Sequence, residues 1–278
     1  MGISSLKRQI IAYRIEKFAF LFRENSKKDF IFLRRSAIIN IISPKGGVRV
    51  KIEKGVNIVC GHYGSGKTNF AVNLAIEAKA AYPEAEVYIA DLDIVNPYFR
   101  TADAAELLKE HGIIPVLPQY ANSNVDIPAL PPQMTRLIES KDAVAIIDVG
   151  GDDGAVALGM YREAIKRAGY EMYFVVNMYR PLIEEATDAA DCMREIECAS
   201  GLGCTQLVNN SSLGEETTAD DVIRSVGYAH ACAEACSLPL AAHSYREDLD
   251  PCLIEKMAEA GYEDEPLFGM ANATKKLF

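Results

Sequence analysis

The residues best suited to chemistry stand in one eight-residue loop, Gly61 to Thr68, with the sequence Gly-His-Tyr-Gly-Ser-Gly-Lys-Thr. This is a complete G-x-x-x-x-G-K-S/T phosphate-binding loop, or P-loop, in which backbone N–H groups and the N-terminus of the next helix point at phosphates. The apolar run 56–60 before the loop and the helical apolar spacing after it predict the strand and the helix that a P-loop requires. The sequence therefore predicts a site for a polyphosphate.

Each part of this loop has a predicted task. By its place in the pattern, Lys67 would reach the β- and γ-phosphates, and the hydroxyl of Thr68 would bind Mg²⁺. Glycine is needed where the backbone takes a positive φ or approaches an oxygen closely. The residues predicted to contact the nucleotide here are Gly61, His62, Tyr63, Gly64, Ser65, Gly66, Lys67, Thr68 and Asn69.

Two aspartates follow apolar runs later in the chain. Asp148 ends the run 143–147, the Walker B arrangement, in which the carboxylate holds Mg²⁺ directly or through water. Gly151 completes a D-x-x-G pattern, and its N–H is predicted to contact the γ-phosphate and couple nucleotide state to loop order. Asp93 stands three residues after the strand predicted at 86–90 and is predicted to orient or deprotonate the attacking water, or to enter the Mg²⁺ shell. A turn of Asp, Asn and Pro without chemistry is the alternative there.

The predicted catalytic residues are Lys67, Asp93 and Asp148, and the predicted metal ligands are Thr68, Asp93 and Asp148.

An asparagine is the predicted reader of the base. The side-chain amide of Asn209 offers both a donor and an acceptor to a purine edge. Because no N-K-x-D sequence, the usual guanine reader, occurs in the chain, adenine is favoured. Turn chemistry by Asn209 and Asn210 is the alternative. Arg180 and Arg246 follow strands predicted at the same edge, where an arginine contacts phosphate or base, or forms a surface ion pair.

The elements that must position these residues alternate between strand and helix. Such alternation predicts βαβ units, right-handed crossovers and a single doubly wound, mostly parallel sheet, which brings every strand-end loop to one edge. The strands are predicted at 56–60, 86–90, 113–117, 143–147, 171–177, 204–209 and 239–244. The helices are predicted near 67–81, 101–111, 131–139, 155–168, 181–199 and 217–235. A long proline-rich loop, Pro118 to Pro132, is predicted to form a lid or a partner surface.

Charge divides the chain into two parts. Residues 1–54 carry 13 Lys and Arg against 4 Asp and Glu, a net +9, which leaves 16 against 35, a net −19, for residues 55–278. We therefore expect a basic amphipathic extension at residues 1–45 and a P-loop domain at residues 46–278. The extension could lie on an anionic membrane or cover its own domain or a partner. Nucleic acid is not an expected ligand of the acidic domain.

Cysteine usage bears on location. Seven cysteines, an odd number at irregular spacings, do not resemble a disulfide framework and favour a reducing cytoplasm. No stretch approaches the roughly 18 apolar residues of a membrane span. The expected location is cytoplasmic, with membrane association through the basic extension left open.

Taken together, the motifs GHYGSGKT, DLDIVNPYFR, IIDVGG and LVNNSSLGEETT resemble the CobQ/CobB/MinD/ParA nucleotide-binding family of the SIMIBI class of P-loop proteins, over about residues 55–250. The chain looks most like an uncharacterised ATP-binding branch. The resemblance implies MgATP as ligand and often a nucleotide-dependent homodimer. By position it implies that Asp93 is the first switch residue, Asp148 and Gly151 the second switch, and Asn209 the adenine reader. One slot departs from the pattern: MinD and ParA carry a second lysine where this chain has His62, so a lysine reaching across a dimer is not implied.

These features support three hypotheses about function. The first is a MgATP-binding switch protein with slow ATPase activity and an unidentified protein client. The second is an ATP-dependent small-molecule kinase or amidating synthase, which requires a further substrate pocket. The third is an ATP-driven chaperone or metal-insertion factor, which the irregular cysteines support weakly.

Overall fold

The computed structural model describes residues 50, 52–92, 105–116 and 132–271. Its centre is a sheet of eight strands, and every neighbouring pair runs parallel. In chain order the strands are β1 Gly55–Gly61, β2 Val87–Asp91, β3 Ile114–Val116, β4 Val144–Asp148, β5 Tyr170–Val176, β6 Gln206–Asn209, β7 Leu240–Arg246 and β8 Leu267–Met270. In space the order is β3-β2-β4-β1-β5-β6-β7-β8.

Helices cover both faces of this sheet, which is why its central strands are apolar on both sides. The described helices are α1 Lys67–Ala81, α2 Ala105–Glu110, α3 Pro132–Glu139, α4 Gly151–Gly159, α5 Arg162–Ala168, α6 Ala186–Ser200, α7 Ala219–Cys236 and α8 Asp250–Glu259. Short 3₁₀ turns lie at Gly214–Glu216 and Glu247–Leu249. Within the described part of the chain, no helix has both the length and the apolar character of a bilayer span.

Two hydrophobic cores separate the faces. On one face α1 packs through Phe70 and Leu74 against Val59 and Ile146. On the other face α3, α4, α6 and α7 cover the alternate residues of the same strands, such as Ile147. Because successive side chains of a strand point to opposite faces, Asp148 shares the α1 face with Ile146. The fold therefore turns the last residue of β4 toward the helix that follows the P-loop.

The doubly wound α/β fold of a P-loop protein is confirmed, with all strand pairs parallel. The spatial strand order reverses at β1, because the chain moves to one side for β2 to β4 and to the other for β5 to β8. In such sheets, ligands bind at the carboxyl ends of the strands beside that reversal. The P-loop follows β1 at this place.

Three predictions about elements were wrong or incomplete. The single helix expected at 155–168 is two helices, α4 and α5, which a turn at Met160 and Tyr161 separates. Gly159 is the last residue of α4, and its backbone lies against α6, where a Cβ would stand 3.1 Å from the carbonyl oxygen of Ala199. Helix α8 and strand β8 had no predicted counterpart.

Several predictions lie outside the described residues and stay predictions. They are the basic amphipathic extension 1–45 with its domain boundary, the switch residue Asp93, and the proline-rich loop up to Pro131.

Candidate functional site

The P-loop begins and ends at glycines that the packing requires. Gly61 has a φ of 146°, and a Cβ on it would stand 2.3 Å from the backbone oxygen of Val175 in β5. Gly66 has a φ of 86°, and its Cβ would stand 2.1 Å from Nδ2 of Asn210. Any side chain at either position would therefore displace a neighbour as well as strain the backbone. This geometry agrees with the reason the sequence gives for glycine in the loop.

Lys67 folds back over the loop. Its Nζ donates a hydrogen bond of 2.9 Å to the carbonyl oxygen of His62, and the residue is only 3% exposed. A charged ammonium on a neutral backbone oxygen can exchange that partner for a phosphate, which forms stronger, charge-assisted hydrogen bonds. The contact places the ammonium across the loop, where a P-loop lysine acts on phosphates.

Thr68 and Asp148 meet as the predicted metal ligands. The Thr68 hydroxyl donates a hydrogen bond of 2.6 Å to Oδ2 of Asp148, and both residues are buried. Asp148 pairs with Val59 in the strand register, and the N–H of Val149 bonds the oxygen of Val59, so β4 fixes the carboxylate beside the start of the P-loop. A hydroxyl and a carboxylate are the oxygen ligands that Mg²⁺ prefers.

Ser65 supplies a direct indication that the loop takes a ligand. Its Oγ is buried, and among the described residues no group hydrogen-bonds it. A buried hydroxyl without a partner carries a free-energy cost. A phosphate oxygen in the loop would satisfy it. The donors present, namely Lys67, the Ser65 hydroxyl and the backbone N–H groups at the start of α1, fit a phosphate group, and the Thr68 and Asp148 oxygens fit Mg²⁺.

Asp91 is a site carboxylate that the sequence reasoning passed over in favour of Asp93. It ends β2, is 2% exposed, and pairs in register with Asp148 on the neighbouring strand. Residues in register on adjacent strands project from the same face, so both carboxylates lie on the α1 side. The two-residue period from the buried Val87 and Ile89 could have identified it.

The remaining predicted contacts stand at this edge of the sheet. Gly151 is the first residue of α4, directly after β4, where a helix N-terminus presents unpaired N–H groups. Asn69 lies in the first turn of α1, and its carbonyl oxygen accepts from Nδ2 of Asn73. His62 and Tyr63 are at the tip of the loop, and Tyr63 is 63% exposed. Their nucleotide contacts stay predictions.

Asn209 is engaged elsewhere. Its Nδ2 donates to Oγ of Ser225 and to Nδ1 of His243, both at 2.8 Å. Its Oδ1 accepts from the backbone N–H of Ser211 at 3.1 Å and from the Ser211 hydroxyl at 2.7 Å. To read a base, Asn209 would have to give up some of these bonds, and that role stays a prediction.

Two residues from neighbouring loops contact the P-loop backbone. Nε of Arg180 donates to the carbonyl oxygen of Gly64 at 2.8 Å, and Nδ2 of Asn210 donates to that of Ser65 at 2.7 Å. The surface ion pair, one of the two alternatives for the arginines at this edge, is present at Arg246, which pairs with Asp248. No sequence signal marks the acceptors, since every residue carries a backbone oxygen.

A second polar cluster lies beyond Asn209. His230 from α7, His243 from β7 and Glu265 before β8 place their ligand atoms within 4.8 Å of one another, which is close enough for a metal ion. Glu265 accepts from Nε2 of His230 at 2.7 Å and from Nε2 of His243 at 3.0 Å. Burial lowers the pKa of His243, against the opposing effect of Glu265. Burial raises the pKa of Glu265, but the hydrogen bonds from the two histidines bring it below its usual value.

The tautomer of His243 decides between a metal centre and a hydrogen-bonded cluster. Because Oδ1 of Asn209 is held by Ser211, its NH₂ group must face His243, so Nδ1 of His243 accepts. The proton of the neutral ring is then on Nε2, directed at Glu265. A metal ligand needs a lone pair on that nitrogen and donates from the other. The geometry therefore favours a hydrogen-bonded cluster over a metal centre. Its members are Asn209, Ser225, His230, His243 and Glu265.

Comparisons with known proteins add little to this geometry. No protein-family model matches the chain, and no curated protein matches it. Among solved structures, chloroplast FtsY from Physcomitrella patens is 17% identical with a TM-score of 0.44, the match covering 83% of this chain and 72% of that one. The signal recognition particle receptor FtsY from Elizabethkingia anophelis is 19% identical with a TM-score of 0.43, covering 86% and 73%. FlhF complexed with GTP and Mg²⁺ is 14% identical with a TM-score of 0.40, covering 86% and 83%.

At these scores the likenesses carry no argument about ligand or reaction, and the fold assignment rests on the sheet and the loop described above. None of these three structures is named as a member of the CobQ/CobB/MinD/ParA family. That finer resemblance, and the SIMIBI class with it, remains a hypothesis from the motifs.

Proposed function

We propose that this chain binds MgATP in its P-loop, hydrolyses it slowly and acts as a nucleotide-dependent switch. The observation that carries the proposal is the 2.6 Å hydrogen bond between Thr68 and Asp148, beside a loop whose Lys67 ammonium rests on a backbone oxygen. The unsatisfied hydroxyl of Ser65 supports an anionic ligand in the same loop.

The proposed role of each residue follows from the chemistry of its side chain. Lys67 would leave the His62 oxygen for the β- and γ-phosphates and offset their charge, and the N-terminus of α1 would add its dipole. The oxygens of Thr68 and Asp148 would hold Mg²⁺, which when bound neutralises charge that develops between the β- and γ-phosphates. Asp93 is proposed to orient the attacking water, and Asp91 lies beside Asp148 as a further carboxylate at this edge.

The base, the partners and the location are the finer parts of the proposal. Adenine is favoured because the chain lacks N-K-x-D, and the MinD/ParA-like motifs point to ATP. A protein client and a nucleotide-dependent homodimer are proposed from the same resemblance. The proposed location is the cytoplasm, with a membrane surface as a candidate partner of residues 1–45.

Isothermal titration of the full chain tests the metal-assisted site. We expect MgATP to bind, and removal of Mg²⁺ by EDTA to weaken ATP binding about tenfold, since Thr68 and Asp148 then lose their ion. Asp148→Asn should reduce MgATP affinity to the EDTA value and should be insensitive to EDTA. MgGTP titrated in parallel decides the base.

The matched control is Asp142→Asn, which removes an exposed carboxylate at the opposite end of β4 and should bind like the wild type. Absence of binding to either nucleotide would refute the proposal. Binding of GTP alone would replace ATP as the ligand and leave the P-loop assignment intact.

A further inference from the structure

The P-loop is held from outside by the loops that follow β5 and β6. Arg180, four residues beyond the end of β5, bonds the Gly64 carbonyl, and Asn210, directly after β6, bonds the carbonyl of Ser65. Two consecutive peptide oxygens of the phosphate-binding loop are thus fixed by two side chains from different strand ends. Both donors stand outside the P-loop motif.

Arg180 lies flat against the loop. A Cβ built on Gly64 would stand 3.3 Å from Nε and 3.5 Å from Cζ of Arg180. The guanidinium therefore meets the loop on the side of its carbonyl oxygens. Because the C=O and N–H of a peptide unit point in opposite directions, holding a carbonyl outward keeps the N–H of the same unit inward. For the unit that Arg180 holds, this is the N–H of Ser65, which donates to the His62 oxygen at 3.2 Å inside the loop, the same oxygen that accepts from Lys67. In a P-loop the inward N–H groups are the ones that bind phosphate.

The loop that carries Arg180 is itself braced. Oδ1 of Asn177 accepts from the N–H of Tyr179 at 3.0 Å and from that of Ser212 at 3.3 Å, and its Nδ2 donates to the oxygen of Ser212 at 3.2 Å. Asn177 thereby ties the loop after β5 to the loop after β6. The N–H of Arg180 also bonds the oxygen of Asn177 at 3.1 Å.

Backbone strain in the same loop agrees with this bracing. Leu182 has a φ of 71°, in the left-handed region that leucine rarely adopts, and its side chain is 76% exposed. A residue keeps such a conformation only where its surroundings over-determine it. Tyr228 supplies one such constraint, because its hydroxyl donates to the oxygen of Ile183.

We propose that Arg180 is a positioning residue that keeps the P-loop in its phosphate-accepting shape before the nucleotide arrives, with Asn210 as its buried companion. This rests on the proposed function, because it assigns the preparation of the same nucleotide site. A loop shaped in advance does not have to be ordered on binding, so affinity is gained without a new contact to the ligand. Arg180 therefore favours MgATP and MgADP alike.

The test measures dissociation constants of MgATP and MgADP for the full chain carrying Arg180→Met, which keeps the apolar stem and removes the donor. Loss of a hydrogen bond from a charged group predicts about tenfold weaker binding of both nucleotides. The melting temperature without nucleotide should stay close to that of the wild type, because Arg180 is partly exposed. Arg180→Lys, which restores a donor, should recover most of the affinity.

The control is Arg246→Met, which removes an equal charge at the same sheet edge from a residue that pairs with Asp248. An equal loss in this control would overturn the proposal, since any nearby charge would then suffice. A loss confined to MgATP would also overturn it, in favour of a direct γ-phosphate contact. Unchanged binding in Arg180→Met beside normal wild-type binding removes only the positioning role. Failure of the wild type to bind either nucleotide removes the proposed function itself.

Discussion

Buried polar side chains gather at two places along one edge of the sheet, and they are used differently. At the ends of β1 and β4, Lys67 contacts a backbone oxygen and the Ser65 hydroxyl is unsatisfied among the described residues. At the ends of β6 and β7, Asn209 uses both amide hydrogens and accepts two hydrogen bonds. The first region can exchange its partners for a ligand. The second has already satisfied its own groups.

Within a single edge, the difference distinguishes groups that can exchange their partners from groups whose hydrogen bonds are already satisfied. Position at the carboxyl end of a parallel strand is shared by both regions, so position alone does not identify a ligand contact. The hydrogen-bond accounting does, because a saturated buried amide can bind a ligand only by losing bonds it already has. Variants of the two regions should therefore change different quantities.

The largest expected effect is in the region at the ends of β1 and β4, whose groups can exchange their partners for a ligand. Lys67→Ala should weaken MgATP binding by about 100-fold or more, since a P-loop lysine makes charge-assisted hydrogen bonds to two phosphates. The free energy of unfolding without nucleotide should change far less than the free energy of MgATP binding, because the phosphates are then absent. Titration calorimetry and thermal unfolding measure the two quantities.

Lys79→Ala serves as its control, because Lys79 stands in the last turn of the same helix, away from the P-loop, and donates to the oxygen of Ala85. It should bind MgATP normally. Retained affinity in Lys67→Ala would mean that the two regions do not differ as described.

A smaller effect, on stability, is expected in the region at the ends of β6 and β7, where the hydrogen bonds of Asn209 are already satisfied. Asn209→Ala leaves the N–H of Ser211 and the ring of His243 without their partner, so the free energy of unfolding should fall by about 3 kcal/mol. The ratio of ATP to GTP affinity should remain that of the wild type. Denaturant unfolding and competition titration check these outcomes.

Asn57→Ala gives a comparison, because Asn57 is an equally buried asparagine in the first half of β1. Among the described residues its amide donates to the backbone oxygens of Glu53 and Gly55 alone. Asn57→Ala should reduce the free energy of unfolding by less than Asn209→Ala does. If Asn209→Ala instead lost its preference between ATP and GTP at unchanged stability, Asn209 would be the base reader that the sequence predicts.

The smallest expected effect is a pH dependence of the free energy of unfolding that comes from His243. Since burial lowers the pKa of His243 in the folded protein, the unfolded chain takes up this proton first as the pH falls. Its contribution to stability is thus present above about pH 6.5, the unfolded value, and declines below it. The lowered pKa of Glu265 affects the free energy of unfolding only at more acidic pH. Its contribution is present above the ordinary pKa of a glutamate and is lost as the pH falls below that value.

Unfolding free energies between pH 7.5 and 5.5 should show this decline in the wild type and a flatter profile in His243→Gln. His62→Gln, which removes a half-buried histidine of the P-loop and leaves His243 and its partners intact, should keep the wild-type slope. An unchanged slope in His243→Gln would place the titrating group elsewhere.

Local patterns were sufficient to predict much of the fold. The helix predicted at 67–81 is α1, because a glycine at positive φ ends the loop and an uninterrupted apolar repeat follows. The central strands are apolar on both faces and so stand out as continuous runs. Strand β8 has only four residues, one of them Gly269, and so short an apolar run does not identify a strand by itself.

The site was predictable where a motif fixes both partners and unpredictable where only one partner has a signal. Thr68 and Asp148 belong to two motifs with known roles, and the structure brings them together. The contact of Arg180 with the Gly64 oxygen depends on the path of a loop after β5. The convergence of His230, His243 and Glu265 arises from three separate elements, so no spacing in the sequence announces it.

The close approach of Gly61 to the Val175 oxygen has a mechanical consequence. Gly61 is still part of β1, in register with Val175 of β5, and there is no room for a methyl group between them, so the sheet holds the start of the loop. We therefore expect any rearrangement of the loop on nucleotide exchange to begin after Gly61.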